Sequence, residues 1–246
     1  MLKLYKTLVS LGASVTAITA VLALSGCNLA DSEEFTVDDV FTIQGITQEL
    51  PADGISSTSF QVVLGCETPV GTTVGISTSK MNLRIADDDL LPTEVTHATF
   101  AAASRATVVE LVSGVEVGAG LITINIGDFT QTREIRLTRS LPASLHASTD
   151  RLQVAANGVD RASVTVSAKS PTDGGTVSKG TEIDLVGRLA AGGSLVAGVG
   201  GRFTTDSSGK IEADVFSSTE GATYVVATVV DNTTVRDSVL IEFTAP

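Results

Sequence analysis

Two places in this chain hold residues whose types and spacing could do chemistry. Asp87-Asp88-Asp89 sets three carboxylates side by side, and hard oxygen donors of this kind can hold Ca²⁺ in a loop. Their spacing fits no EF-hand loop, and three adjacent side chains converge on one ion only with help from other ligands. A solvated acidic turn is the simpler expectation, and a weak calcium- or ligand-binding loop is the alternative. The second place is Cys27, which directly follows an apolar run from Thr7 to Leu24.

That run is preceded by Lys3 and Lys6 and closes on Leu24-Ser25-Gly26-Cys27. A positive start, an apolar middle and a small-residue end are the three parts of an export signal. The last four residues read as a lipobox: an aliphatic residue, two small residues that leave the scissile bond open, then a cysteine to be acylated. Residues 1–26 are therefore expected to be a lipoprotein signal peptide, with Cys27 lipidated. An uncleaved membrane helix is the plainer alternative. It wants about 20 strongly apolar residues, whereas this run is shorter and diluted by Thr, Ser and Gly. More than one acyl chain, each stabilised by about 0.8 kcal/mol per buried methylene, gives a stable membrane anchor. Asn28 after the cysteine favours sorting to the outer membrane of a two-membrane envelope.

Other reactive groups do not assemble into a site. His97 and His146 are the chain's two histidines, and neither has a second His or Cys at metal-ligand spacing. No phosphate loop, nucleophile elbow or His-Glu-x-x-His pattern occurs. The expectation is a protein with no catalytic residues, no cofactor and no assigned metal, that is, not an enzyme. With Cys27 acylated, Cys66 is left without an intramolecular partner, so no disulfide is expected. In phase with Phe60, Val62 and Leu64, Cys66 reads as an inert core thiol, the alternatives being a reactive thiol or an intermolecular disulfide.

Charge narrows the partners. Setting aside the two lysines of residues 1–26, 14 basic residues face 28 acidic ones, a formal charge of −14. Such a chain repels nucleic acid. It has no Trp, and beyond residue 26 Tyr224 is its one tyrosine, so the aromatic platforms that bind carbohydrate are lacking. Residues 27–41 carry Asp31, Glu33, Glu34, Asp38 and Asp39 and read as the lipidated cysteine with an acidic, solvated tether.

Beyond residue 41 the chain repeats itself at a spacing near 104. Asp53-Gly54 precedes Phe60, Val62 and Leu64, and Asn157-Gly158 precedes Val164, Val166 and Ala168 at the same offsets. Each pair is a turn signal leading into a strand of period two. Phe100 and Phe203 correspond, as do Gly118 and Gly221, each opening a β-rich stretch. One duplication accounts for all of these.

Strands are expected near 43–50, 58–66, 72–78, 95–101, 106–112, 120–126 and 132–139, then near 151–155, 161–168, 181–187, 194–199, 210–216, 223–230 and 235–243. About seven short strands per 100 residues, separated by Gly-, Asp- and Ser-rich turns, point to an all-β chain of two tandem Ig-like β-sandwiches. The first is expected over 42–140 and the second over 141–246, with Leu141-Pro142-Ala143-Ser144 as the junction.

These modules resemble the group 1 bacterial Ig-like domains that build invasin and intimin adhesins. The first carries Ala52-Asp53-Gly54 and Pro69-Val70-Gly71-Thr72-Thr73-Val74-Gly75-Ile76-Ser77-Thr78. The second carries Phe203-Thr204-Thr205-Asp206-Ser207-Ser208-Gly209-Lys210 and Gly221-Ala222-Thr223-Tyr224-Val225-Val226-Ala227-Thr228-Val229. Asp206 can bond the turn backbone and Gly209 can take positive φ. Each module departs once, at Ala101-Ala102-Ala103-Ser104-Arg105 and in the Gly-rich stretch 190–201. The resemblance implies a spacer or a protein-interaction and adhesion module, displayed from the cell envelope, with a protein partner.

Overall fold

The computed structural model describes residues 36–85 and 95–246. Apart from one helical turn, α1 (Val37–Val40), the regular structure of these residues is all β. The first half contributes β1 (Phe41–Gln44), β2 (Glu49–Pro51), β3 (Ser57–Leu64), β4 (Thr73–Thr78), β5 (Met81–Ile85), β6 (His97–Ala101), β7 (Ala106–Ser113), β8 (Gly118–Ile126) and β9 (Phe129–Thr138). The second half contributes β10 (Ser144–Thr149), β11 (Gln153–Ala155), β12 (Ala162–Lys169), β13 (Glu182–Leu189), β14 (Leu195–Thr204), β15 (Lys210–Val215), β16 (Gly221–Val229) and β17 (Asn232–Thr244).

The strands form two β-sandwiches. The first packs the sheet β1-β3-β7-β5 on the sheet β2-β9-β8-β4-β6, and the second packs β10-β12-β15 on β11-β17-β16-β13-β14. The duplication is visible in the pairing: β1 and β10 run antiparallel to β3 and β12, while β2 and β11 run parallel to β9 and β17. Alternation then sorts side chains to two faces. On β3 the inward set is Phe60, Val62 and Leu64, and on β12 it is Ala162, Val164, Val166 and Ala168. Each sandwich closes over its own apolar cluster, and the two clusters share no residue.

Several sequence expectations need correction. The single strand expected near 43–50 is two, because residues 45–48 carry the chain from one sheet of the sandwich to the other. β5 and β10 were not anticipated, and β10 begins inside the expected linker at Ser144. The expected tether also runs too far. Asp39 Oδ2 accepts from the Thr36 N–H at 2.7 Å and from its hydroxyl at 2.8 Å, which fixes the start of α1. Val40 and Phe41 are then buried, Phe41 completely. An acidic stretch misleads here because Asp38 and Asp39 point outward from a turn whose apolar residues cap the core.

Candidate functional site

The most elaborate polar construction among the described residues lies where the two sandwiches meet. Asp53 opens a tight turn in the first sandwich. Its Oδ1 accepts from the Ile55 N–H at 3.1 Å, the Ser56 N–H at 2.7 Å and the Ser113 hydroxyl at 3.1 Å, and its Oδ2 accepts from the Ser56 hydroxyl at 2.7 Å. The side chain is fully buried. Burial pushes its pKa up, but the bonds from Ser56, Ile55 and Thr172 outweigh it and hold the carboxyl below the usual range. A carboxylate that accepts several N–H and O–H bonds is stabilised in its charged form.

The second sandwich repeats this turn with an amide. Asn157 Oδ1 accepts from the Val159 N–H at 2.9 Å and the Asp160 N–H at 2.8 Å. Gly54 and Gly158 follow at φ of +80° and +74°, a conformation that costs glycine nothing. Their N–H groups donate to equivalent carbonyls, Gly114 and Ser217.

The segment between β12 and β13 grips the Asp53 end of the first sandwich. The Thr176 N–H donates to the Asp53 carbonyl at 2.8 Å, the Lys179 N–H to the Val115 carbonyl at 2.9 Å, and the Ser178 hydroxyl to the Ala52 carbonyl at 2.9 Å. Lys179 Nζ meets Glu116 at 3.1 Å and Arg139 meets Asp231 at 2.6 Å. Ile55 lies over Gly174-Gly175, where a β-carbon at Gly175 would fall 3.2 Å from its Cγ1. Sequence reading missed Thr176, Ser178 and Lys179. The available signal was length: this segment is longer than its counterpart between β3 and β4, and the surplus includes Gly174-Gly175.

The other sequence-predicted residues lie apart from one another. Asp206 shapes the turn before β15, its Oδ1 accepting from the Ser208 N–H at 2.8 Å and the Lys210 N–H at 2.9 Å, and these bonds lower its pKa. Gly209 sits in that turn at φ +72°. His97 and His146 are exposed, and the described residues contain no cluster of metal-ligating side chains. Asp87, Asp88 and Asp89 lie outside the described residues, as does Cys27.

Cys66 overturns its expectation twice. Its side chain is exposed, not inward, because β3 ends at Leu64 and the alternation ends with it. It is also disulfide-bonded, where no disulfide was expected. Arg105 holds this turn by donating to the Gly65 carbonyl at 2.9 Å.

No protein-family model and no curated protein matches the chain. Solved structures do. Invasin, a bacterial integrin-binding protein, superposes with a TM-score of 0.54 and 16% identity, over 84% of this chain and 40% of invasin. The Yersinia pseudotuberculosis adhesin InvE gives 0.50 and 14%, over 85% of this chain and 60% of InvE. The chain thus spans less than two thirds of either. At identities this low the superpositions establish the fold alone, tandem Ig-like β-sandwiches.

Proposed function

We propose that this chain is a lipid-anchored protein of the bacterial cell envelope whose tandem Ig-like sandwiches act as a spacer and protein-interaction module. The observation that carries the reading is the junction. Two sandwiches with separate cores are fastened by main-chain hydrogen bonds from Thr176 and Lys179, in the fold that invasin and InvE also use. A fastened pair can hold an interaction surface at a set distance and orientation, which freely jointed beads cannot.

The anchor is inferred from the sequence. Leu24-Ser25-Gly26-Cys27 supplies the lipidation site, residues 28–35 supply a short acidic tether, and Asn28 supports outer-membrane sorting. The proposed modules follow as 42–140 and 141–246, the first extended to take in α1 and Phe41. Acylation uses the sulfur of Cys27, and the chain's other cysteine is Cys66. A thioether at Cys27 excludes an intramolecular disulfide, so on this proposal the Cys66 disulfide belongs to the chain before acylation or reaches a cysteine of another molecule.

Metabolic labelling with a radioactive fatty acid tests the anchor directly. The parent chain should take up label and sediment with membranes, and Cys27→Ser should do neither. An unlabelled parent chain, or an intact mass showing one internal disulfide and no acyl group, would reject it. Crosslinking in the native envelope tests the interaction role, and the absence of any crosslinked protein counts against it.

A further inference from the structure

The duplication supplies an internal control for the outer, solvent-facing surfaces. Both sandwiches use the same five-stranded sheet, and folding makes the same demand on each: an apolar inner face and a soluble outer one. Where the outer faces differ in polarity, folding does not explain the difference.

They differ along one row. In the second sandwich Leu240 on β17 lies opposite Tyr224 on β16, Tyr224 opposite Arg188 on β13, and Arg188 opposite Leu195 on the edge strand β14. Leu152 extends the row beyond β17, its carbonyl accepting from the Glu242 N–H. Leu152 and Leu195 are each 69% exposed, and Tyr224 and Leu240 are each 44% exposed. Adjacent strands are about 4.8 Å apart, so the row crosses the whole sheet. An open groove of about 560 Å³ lies at its β11 end, lined by Leu152, Gln153, Leu240 and Glu242.

In the first sandwich three of the matching positions are polar, while Leu121, which stands for Tyr224, is itself apolar and 43% exposed. Gln48 stands for Leu152, with its carbonyl accepting from the Arg136 N–H just as Leu152 accepts from Glu242. Glu134 stands for Leu240, opposite Leu121. Ser79 stands for Arg188, its hydroxyl accepting from the Leu121 N–H. The next row holds Thr123 and Thr132, in contact at 3.3 Å. Leu152 and Leu240 in place of Gln48 and Glu134 expose more apolar surface in the free protein without adding to its core, and Arg188 in place of Ser79 sets a cation beside them. Tyr and Arg are also enriched at the energetic centres of protein interfaces, where surrounding contacts act by excluding water.

The charges in the row select the occupant. Arg188 donates to the Gly193 carbonyl at 3.1 Å and, among the described residues, has no carboxylate partner. A planar guanidinium amid apolar side chains suits a carboxylate, which it can engage with two parallel bonds. Self-pairing is opposed by charge, since it would bring together two acidic chains, each of formal charge −14 once residues 1–26 are set aside.

We infer that the outer face of the second sandwich, centred on Tyr224 and Arg188, is a docking surface for a partner protein that presents aliphatic side chains around one carboxylate. The inference rests on the interaction-module reading and assigns it a face. Failure here removes the face alone, because the anchor and the crosslinking experiments do not depend on it.

The test is selection of a random peptide library displayed on phage against the full chain, run in parallel against R188E and against the double variant Y224S/L240S. All three side chains are exposed, and unchanged circular dichroism and melting temperature would certify folding of the variants. Peptides selected by the parent should carry an Asp or Glu flanked by aliphatic residues. They should bind the double variant at least about tenfold more weakly, and R188E should select Lys or Arg in place of the acid. No enrichment, selected peptides without acidic bias, or equal binding to the double variant would overturn the inference. So would self-association of the parent in sedimentation velocity that Y224S/L240S abolishes, because the face would then belong to a second copy.

Discussion

The Ser178 hydroxyl reaches across the boundary between the two sandwiches and donates to the Ala52 carbonyl at 2.9 Å. The same oxygen accepts from the Ser140 N–H at 2.8 Å, and Ser178 is fully buried. Replacing it with alanine strands a carbonyl of one sandwich and an N–H of the connecting segment, neither within reach of water. Each unsatisfied buried group costs about 1–3 kcal/mol. Ser178→Ala should lower stability by about 2–6 kcal/mol in guanidinium unfolding. A midpoint within error of the parent would show that water enters the junction and that its hydrogen bonds are not structural.

Asp53 makes the junction sensitive to acid. Its folded-state pKa is held below the usual carboxylate value, so ionised Asp53 stabilises the fold at pH above the unfolded value of about 3.9. That contribution is lost as pH falls through the folded value. Asp53→Asn keeps the Oδ1 acceptor, as Asn157 does in the second sandwich, and gives up the charge. The variant should melt below the parent at pH 7, and the gap should close as the pH drops below about 4. A gap independent of pH would mean that geometry, not charge, is what Asp53 contributes.

Much of this architecture was legible in the residues. Alternation at Phe60, Val62 and Leu64 gave the inner face of β3 because a half-buried strand leaves that trace directly. Asp53-Gly54 and Asn157-Gly158 marked the paired turns for the same kind of reason: the constraint is local. What failed was non-local. Nothing at Gly45 tells the chain to change sheets, since which sheet a strand joins depends on partners about 20 and 90 residues away. Phe41 was lost among acids because charge describes the outside of a turn and not what the turn covers. The junction escaped because two of its donors are main-chain N–H groups, which every sequence has, and its side-chain donors find partners far away in the chain. The outer row of the second sandwich, too, needed the register: Leu152, Arg188, Leu195, Tyr224 and Leu240 are scattered along the chain and meet only through strand pairing.

Gly209 tests whether a turn glycine read from sequence is required. It sits at φ +72°, and a β-carbon there would fall 3.1 Å from the Ala168 carbonyl oxygen and 3.2 Å from Val177 Cγ2. Both neighbours are fixed, because Ala168 donates its N–H to the Gly209 carbonyl and Val177 is fully buried. Gly209→Ala should cost about 1–2 kcal/mol from left-handed strain alone, with crowding added. Thermal melting of the variant checks it, and a neutral substitution would show that the turn can flip to a conformation alanine tolerates.

Separate cores make a further, quantitative demand. Phe60 anchors the first cluster and Phe243 the second, each 1% exposed. Truncating either to alanine should cost about 3–5 kcal/mol, since the sheets around it are hydrogen-bonded and can collapse only partly into the void. The two side chains share no contact in either cluster, so their effects on stability should add to within about 0.5 kcal/mol. Hydrogen exchange gives the sharper reading. Phe60→Ala should speed amide exchange in β3 and β7 and leave β16 and β17 protected, and Phe243→Ala should do the reverse. If either variant loosened both sandwiches equally, the junction through Thr176, Ser178 and Lys179 would be coupling them into one cooperative unit, and Ser178→Ala should then restore the independence that the separate cores imply.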